Sequence, residues 1–306
     1  MPYPIHTLPY PFKKRLRQLL TPVELHELQK ATGPLETNHF LMPIQKNRKC
    51  ECLIFRKMVD NKILLDTIPT FEKRNFSDVV EAPYLSLKNF DEKAISIHFF
   101  NFVQFQKVRI LELHLDITTV PFVIAMAQKR MQLTHLNIYF ATEASESQLR
   151  LPVFFKAFPA VLHFSFMLYA YKGWVKDILD CKMFGLEQLT IMSTNFDKLF
   201  SFCPEEVYQL VKSQHYKFKL ELLHLTEKDF SVEIHRTLPL FKPYFKNVCA
   251  TSDYDVLLRV LPSFQNGTPS APSMNLSFEQ YFKLRPSIQC GISQMFFKLT
   301  KHELLK

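Results

Sequence analysis

The sequence predicts an α/β fold: an N-terminal helical hairpin followed by an irregular solenoid of strand–helix repeats. Three observations carry this. Apolar residues from Phe12 to Val23 recur three and four positions apart, the spacing of one helix face. From residue 110 onward a six-residue phrase returns, apolar at its first, fourth and sixth positions. Between its copies lie stretches with helical patterning.

The hairpin comes first. Phe12, Leu16, Leu19, Leu20 and Val23 fall on one helical face, and Lys13, Lys14, Arg15, Arg17 and Gln18 point elsewhere. The basic cluster in PFKKRLRQLL therefore reads as the solvated side of an apolar docking helix. The next four residues, TPVE from Thr21, place Thr at the N-cap, Pro at the first helical position and Glu at the third, a full capping-box signature. A second helix carries Leu25, Leu28 and Ala31 inward, and Gly33-Pro34 ends it. A pair of this size cannot fold alone, so its apolar face must pack on the rest of the chain or on a partner.

The order Leu8-Pro9, Phe12, Leu16, Leu19-Leu20, Thr21-Pro22, Leu25, Leu28 resembles the beginning of an F-box. The resemblance covers residues 8–31. It departs afterwards: Lys30-Ala31-Thr32-Gly33-Pro34 stands where a third helix usually begins, and no Trp follows. What it implies is docking on the Skp subunit of a ubiquitin ligase through Leu8, Pro9, Phe12, Leu16, Leu19, Leu20, Pro22, Leu25 and Leu28.

The repeats follow. ILELHL from Ile110, LTHLNI from Leu133, VLHFSF from Val161, LEQLTI from Leu186 and LELLHL from Leu220 share the phrase; FKNVCA from Phe245 is a weaker copy, and ISIHF from Ile95 is a first copy lacking the leading position. The starts lie 23, 28, 25, 34 and 25 residues apart. Leucine-rich repeats run about 20–29 residues, a strand and then a helix, so the 34-residue interval needs an insertion. Helices are predicted over residues 120–131 and 171–184, and from Pro204, where two acids follow the proline. The Asn or Cys usual after the last apolar position is replaced by Asp116, Tyr139, Met167, Met192 and Thr226. The array is thus leucine-rich-repeat-like but irregular. Together with the hairpin it resembles the layout of substrate adaptors in cullin-based ubiquitin ligases, in particular the divergent, expanded nematode F-box families.

Strand side chains alternate faces, so the third and fifth positions of each phrase point away from the core. These are Ser96 and His98, Glu112 and His114, His135 and Asn137, His163 and Ser165, Gln188 and Thr190, Leu222 and His224, Asn247 and Cys249. The expected surface is a polar groove for a protein segment, with His98 beside His114 and His135 beside His163. Its histidines gain charge below about pH 6.5.

Composition excludes several functions. With 5 Gly in 306 residues and neither GxGxxG nor GxxxxGK[ST], a phosphate-cradling loop is not expected. No GxSxG, HExxH or paired-carboxylate constellation appears, so no enzyme, cofactor or metal is predicted. Cys50, Cys52, Cys181, Cys203, Cys249 and Cys290 are scattered, most in apolar stretches, as buried reduced thiols are. No signal peptide and no membrane-spanning apolar run is read, which makes the sequons at Asn75, Asn266 and Asn275 chance matches and the location cytoplasmic or nuclear.

The expected organisation is 1–35 F-box-like hairpin, 36–90 linking and capping strands and loops, 91–262 repeat array, and 263–306 loop and C-terminal cap. Within these, residues 45–49 read as a basic loop, residues 52–55 as a strand, residues 262–272 as the clearest loop, and the last 33 residues as a strand and a basic helix. The expected function is a non-catalytic adaptor whose partners are a Skp-type subunit, a cullin scaffold and a substrate protein, with no membrane. The alternatives are an interaction scaffold without ligase docking and, from the net charge of +9, a basic nucleic-acid binder.

Overall fold

The computed structural model describes residues 8–32, 47–58, 63–68, 78–90, 98–115, 120–140, 150–226, 245–248, 256–262 and 294–299. It is an α/β fold in which helices and strands alternate. The chain divides into two compact units, one drawn from residues before about 141 and the other from about 162 onward, with residues 150–155 joining the second.

Helices α1 (Tyr10–Leu19) and α2 (Pro22–Ala31) open the first unit. The capping box between them is formed: Glu24 N–H donates to Thr21 Oγ1 at 3.3 Å, and Thr21 N–H donates to Glu24 Oε2 at 2.8 Å. Six strands and a helix follow before residue 116 and 128 respectively: β1 (Asn47–Lys49), β2 (Cys52–Lys57), β3 (Ile63–Ile68), β4 (Val79–Glu81), β5 (Tyr84–Lys88), β6 (Ile110–Leu115) and α3 (Val120–Ala127). Strand β7 (His135–Phe140) closes the unit. Its sheet runs β3-β2-β5-β6-β7, parallel throughout except for the antiparallel β2–β3 pair, and β1 pairs with β4 in a small parallel ribbon. The segment expected as a basic loop is therefore strand β1 in part. Helix α2 packs on β4 and on a 3₁₀ turn at His98–Phe102.

The second unit holds α4 (Leu151–Ala157) up to Phe155, then β8 (His163–Met167), α5 (Trp174–Asp180), β9 (Gln188–Ser193), α6 (Phe196–Leu199), α7 (Pro204–Ser213) and β10 (Lys219–Thr226). Then come β11 (Phe245–Val248), β12 (Val256–Pro262) and β13 (Gln294–Leu299). The sheet runs β8-β9-β10-β12 in parallel, then β13 and β11 antiparallel. The insertion required by the 34-residue interval is a second helix: α6 and α7 both lie between β9 and β10. In both units successive parallel strands add in chain order. Among the described parallel strands, neither unit shows the reversal of strand order at which doubly wound sheets open a ligand crevice.

Register corrects the repeat alignment. Leu53, Leu85, Leu111 and Leu136 sit side by side across β2, β5, β6 and β7. Counting back three from each gives Cys50, Ala82, Val108 and Leu133, all buried. The β6 phrase therefore starts at Val108 rather than Ile110. Of the copy expected from Ile95, residues 95–97 lie outside the described residues and His98 opens a 3₁₀ turn; APYLSL from Ala82 supplies β5, which occupies the sheet position beside β6. Phrase starts at Ala82, Val108, Leu133, Val161 and Leu186 are 26, 25, 28 and 25 residues apart, with longer intervals on either side, from Cys50 to Ala82 and from β9 to β10. The weak copy at Phe245 is not the next parallel rung; β12 takes that place beside β10, and β11 pairs antiparallel with β13.

Phenylalanine builds both cores. In the first unit Phe100 lies 5.6 Å from Phe55 and 5.9 Å from Phe90 and Phe105, between ring centroids. In the second, Phe154 of α4 meets Phe164 and Phe166 of β8, both at 5.9 Å. Pairs of this kind contribute about 0.5–1.5 kcal/mol beyond the area they bury. Trp174, the single tryptophan, is buried against Phe202, and its Nε1–H donates to the Leu199 carbonyl at 2.9 Å. Both predicted central helices are shorter than their patterns. Helix α3 stops before Arg130 (φ 53°) and α5 before Lys182 (φ 50°), left-handed residues doing the C-cap work that glycine usually does. At the other end of α5, Gly173 (φ 78°) holds the N-cap, where a side chain would be strained.

Removing a ring from this packing tests it. Phe154→Ala should lower stability by about 3–5 kcal/mol, read by urea unfolding, with Trp174 emission reporting the second unit.

Candidate functional site

Alternation along β6 sends Leu111 and Leu113 into the core and Glu112 and His114 to the opposite face. Parallel pairing then sets Ser86, Glu112 and Asn137 in one row, and Lys88, His114 and Tyr139 in the next. Glu112 becomes the hub. Its Oε1 accepts from Ser86 Oγ at 3.2 Å and contacts His114 Nε2; its Oε2 accepts from the Tyr84 hydroxyl. The His114 ring stacks on Tyr139, centroids 4.6 Å apart and planes 7° off parallel.

The electrostatics follow from that geometry. Burial by itself would raise the Glu112 carboxyl, but the hydrogen bond and charge of His114, the Tyr84 hydroxyl and nearby Lys88 outweigh it and hold the group below the usual carboxylate value. Burial, reinforced by the Glu112 charge, pushes the Tyr84 and Tyr139 hydroxyls far up. Burial also pushes the Cys52 thiol up to about 12, with Glu112 adding to the rise, and the Cys50 thiol up to about 11. At neutral pH the cluster therefore holds one anion among protonated phenols and thiols.

The second unit carries a matching polar row. His163 Nδ1 lies 3.4 Å from Gln188 Oε1; Gln188 Nε2 donates to Thr190 Oγ1 at 3.4 Å; Thr190 Oγ1 donates to Glu221 Oε2 at 3.4 Å. Ser165 stands beside Thr190 in register. Glu187, just ahead of β9, faces His163 Nε2 at 3.4 Å and His215 Nδ1 at 4.0 Å.

No family model, curated protein or solved structure matches this chain. The site is thus read from its own geometry.

Of the predicted face, Glu112, His114, His135 and Asn137 share one side of the first sheet, and His163, Ser165, Gln188 and Thr190 one side of the second. His224 does not join them. Leu222, not Leu225, pairs with Ile191 of the core row, so β10 is offset by three residues from the predicted phrase, and an odd offset exchanges the faces. His224 is buried on the helix side, Nδ1 at 3.1 Å from the Ser193 carbonyl and its ring edge-on to Phe196. Glu221 takes the outward place. Lys88, not His98, neighbours His114. Asn247 belongs to the antiparallel edge strand, and Ser96 and Cys249 lie outside the described residues. Tyr84, Ser86, Lys88 and Glu221 were missed; the alternation in YLSLK from Tyr84 was the available signal for the first three. Cys181 and Cys203 are exposed, against the expectation of buried thiols, because each sits at the end of a helix rather than within it.

The polar face is largely closed on itself. Ser86 is fully buried, and Glu112, Thr190 and Glu221 are nearly so.

The hairpin is arranged differently. Of the predicted docking residues, Phe12 and Leu19 are 64% and 65% exposed and Pro9 is exposed; Leu8, Leu16, Leu20, Pro22 and Leu28 are half-buried; Leu25 is buried. Lys13, expected on the solvated side, is buried, and Ala31, expected inward, is exposed. The reason is rotational: Lys13, Leu20 and Arg17 share one side of α1, and Phe12, Leu19 and Leu16 another. Turning the first side inward leaves the more apolar one outward. Helix α2 anchors the pair through Leu25, His26 and Gln29.

A depressed carboxyl fixes the sign of a pH effect. Because Glu112 titrates lower in the folded chain than its ordinary 4.5, its contribution is present above that value and is lost as pH falls through the folded one. Glu112→Gln should cost about 1–3 kcal/mol at pH 7. The gap between variant and parent should narrow as the pH is lowered, read by urea unfolding at a series of pH values.

Proposed function

We propose that this chain is a non-catalytic substrate-recognition adaptor of an SCF-type (Skp-cullin-F-box) ubiquitin ligase, working in the cytoplasm or nucleus. Its hairpin docks on a Skp-type subunit, and its leucine-rich-repeat-like array of parallel strands holds a substrate protein. The single observation that carries the reading is the outward face of α1. Phe12 and Leu19, with half-buried Leu16 on the same side, form an apolar face on a helix that α2 ties to the body of the protein. Contiguous apolar surface rimmed by charge is what interaction sites present. Arg15, exposed, flanks that face on one side.

The strand order supports the array: β5, β6 and β7, and likewise β8, β9 and β10, follow chain order in parallel, with phrases 25–28 residues apart from β5 to β9 and a longer interval into β10, where α6 and α7 are inserted. The chemistry of the Glu112 cluster supports a non-catalytic role. Buried, protonated thiols and phenols are poor nucleophiles and bases.

The alternative, an interaction scaffold whose hairpin is only a cap, is favoured by the burial of Leu25 and Gln29. That explains α2 but leaves the exposed face of α1 without a role. The nucleic-acid reading loses part of its footing, since Lys13 is buried and its basic neighbours are spread around the helix.

Co-purification with a Skp-type subunit tests the proposal. The parent chain should be captured. Phe12→Asp together with Leu19→Asp should weaken capture about tenfold or more, with an unchanged circular dichroism melt because both side chains already face solvent. Failure of the parent chain to capture the subunit would overturn the reading.

A further inference from the structure

We infer that the partner-binding surface of the array is the pair of loops leading into β9 and β10, and that it takes an acidic protein segment bearing an apolar side chain. The identification of that segment as a ligase substrate rests on the adaptor reading above; the surface and its chemistry do not.

Two aromatic side chains stand out there. Phe184, ahead of β9, is 61% exposed, and Tyr216, ahead of β10, is 81% exposed. A lone exposed aromatic needs no explanation. These two are different because one residue braces both loops. Gln214 Nε2 donates to the Met183 carbonyl at 2.7 Å, and Gln214 Oε1 accepts from Leu186 N–H at 3.1 Å, so the amide brackets Phe184 from both sides while Tyr216 follows two residues later. The loop backbones are held and the rings are presented. Rigid aromatic anchors on fixed backbone are the residues that dominate binding energy in protein interfaces.

Charge selects the partner. Lys182, two residues before Phe184, and Lys217, the residue after Tyr216, are both exposed, and Lys217 Nζ lies 5.3 Å from the Tyr216 centroid. The acids nearby are exposed Asp180, at the end of α5, and Glu187, which is already engaged by His163 and His215. A carboxylate can therefore reach a lysine ammonium while the apolar group next to it packs on the ring below. The polar sheet face offers no such opening, because its carboxylates, Glu112 and Glu221, are buried among their own hydrogen-bond partners.

The test uses the full chain as bait for a random peptide library displayed on phage, counter-selected against Phe184→Ala/Tyr216→Ala. Enriched peptides should place Asp or Glu next to an apolar residue. As labelled synthetic peptides in fluorescence anisotropy they should bind the double variant about tenfold or more weakly. They should also lose affinity to Lys182→Glu/Lys217→Glu and to added salt. Circular dichroism should be unchanged in both variants, and capture of the Skp-type subunit should be retained. Conversely, Phe12→Asp/Leu19→Asp should keep peptide binding, which separates failure of this inference from failure of the adaptor reading. The inference is overturned if no peptide is enriched, if enriched peptides are basic, if they bind both variants as well as the parent, or if labelled oligothymidine, rather than peptide, is what the double variant loses.

Discussion

Each sheet hangs on one row of apolar side chains in register: Leu53, Leu85, Leu111 and Leu136 in the first unit, and Phe164, Leu189 and Leu220 in the second. Because strand side chains alternate, fixing that row fixes which residues meet on the other face. Glu112 meets Tyr84, Ser86 and His114 only because Leu85, Leu111 and Leu113 are locked inward. Gln188, Thr190 and Glu221 meet for the same reason. The polar face is a consequence of the core, and its groups are so close that they satisfy one another.

That constraint also explains how far the sequence could be read. The hairpin was legible because its signals are local: the TPVE capping box and the three-and-four spacing lie within a few turns. The parallel α/β alternation was legible because the phrase repeats. Register was not, because two alignments of ILELHL that differ by two residues place the same side chains on the same face; the sequence could not reveal that Val108 rather than Ile110 leads. At β10 the offset is three residues, an odd number that LELL allows because it is apolar on both faces, and that moved His224 from the surface to the helix side. The first rung was missed since its leading residue is Ala82, small enough to hide the phrase. Which side of α1 turns inward depends on what α2 packs against, and no local pattern carries that information.

The two proposed binding surfaces lie one in each unit. One is the outward face of α1, where burial of Lys13 leaves Phe12 and Leu19 presented. The other is the braced pair of loops with Phe184 and Tyr216. In both places exposed aromatic or apolar side chains stand on backbone held by defined hydrogen bonds, the Thr21–Glu24 box in one and Gln214 in the other.

Amide hydrogen exchange of the full chain, alone and with a purified Skp-type subunit, tests the central claim most directly. The account predicts that binding slows exchange across α1 and the turn into α2, while the strands of both units are unchanged. Unchanged exchange in α1 in the presence of a saturating subunit, or protection confined to residues 163–193, would contradict it.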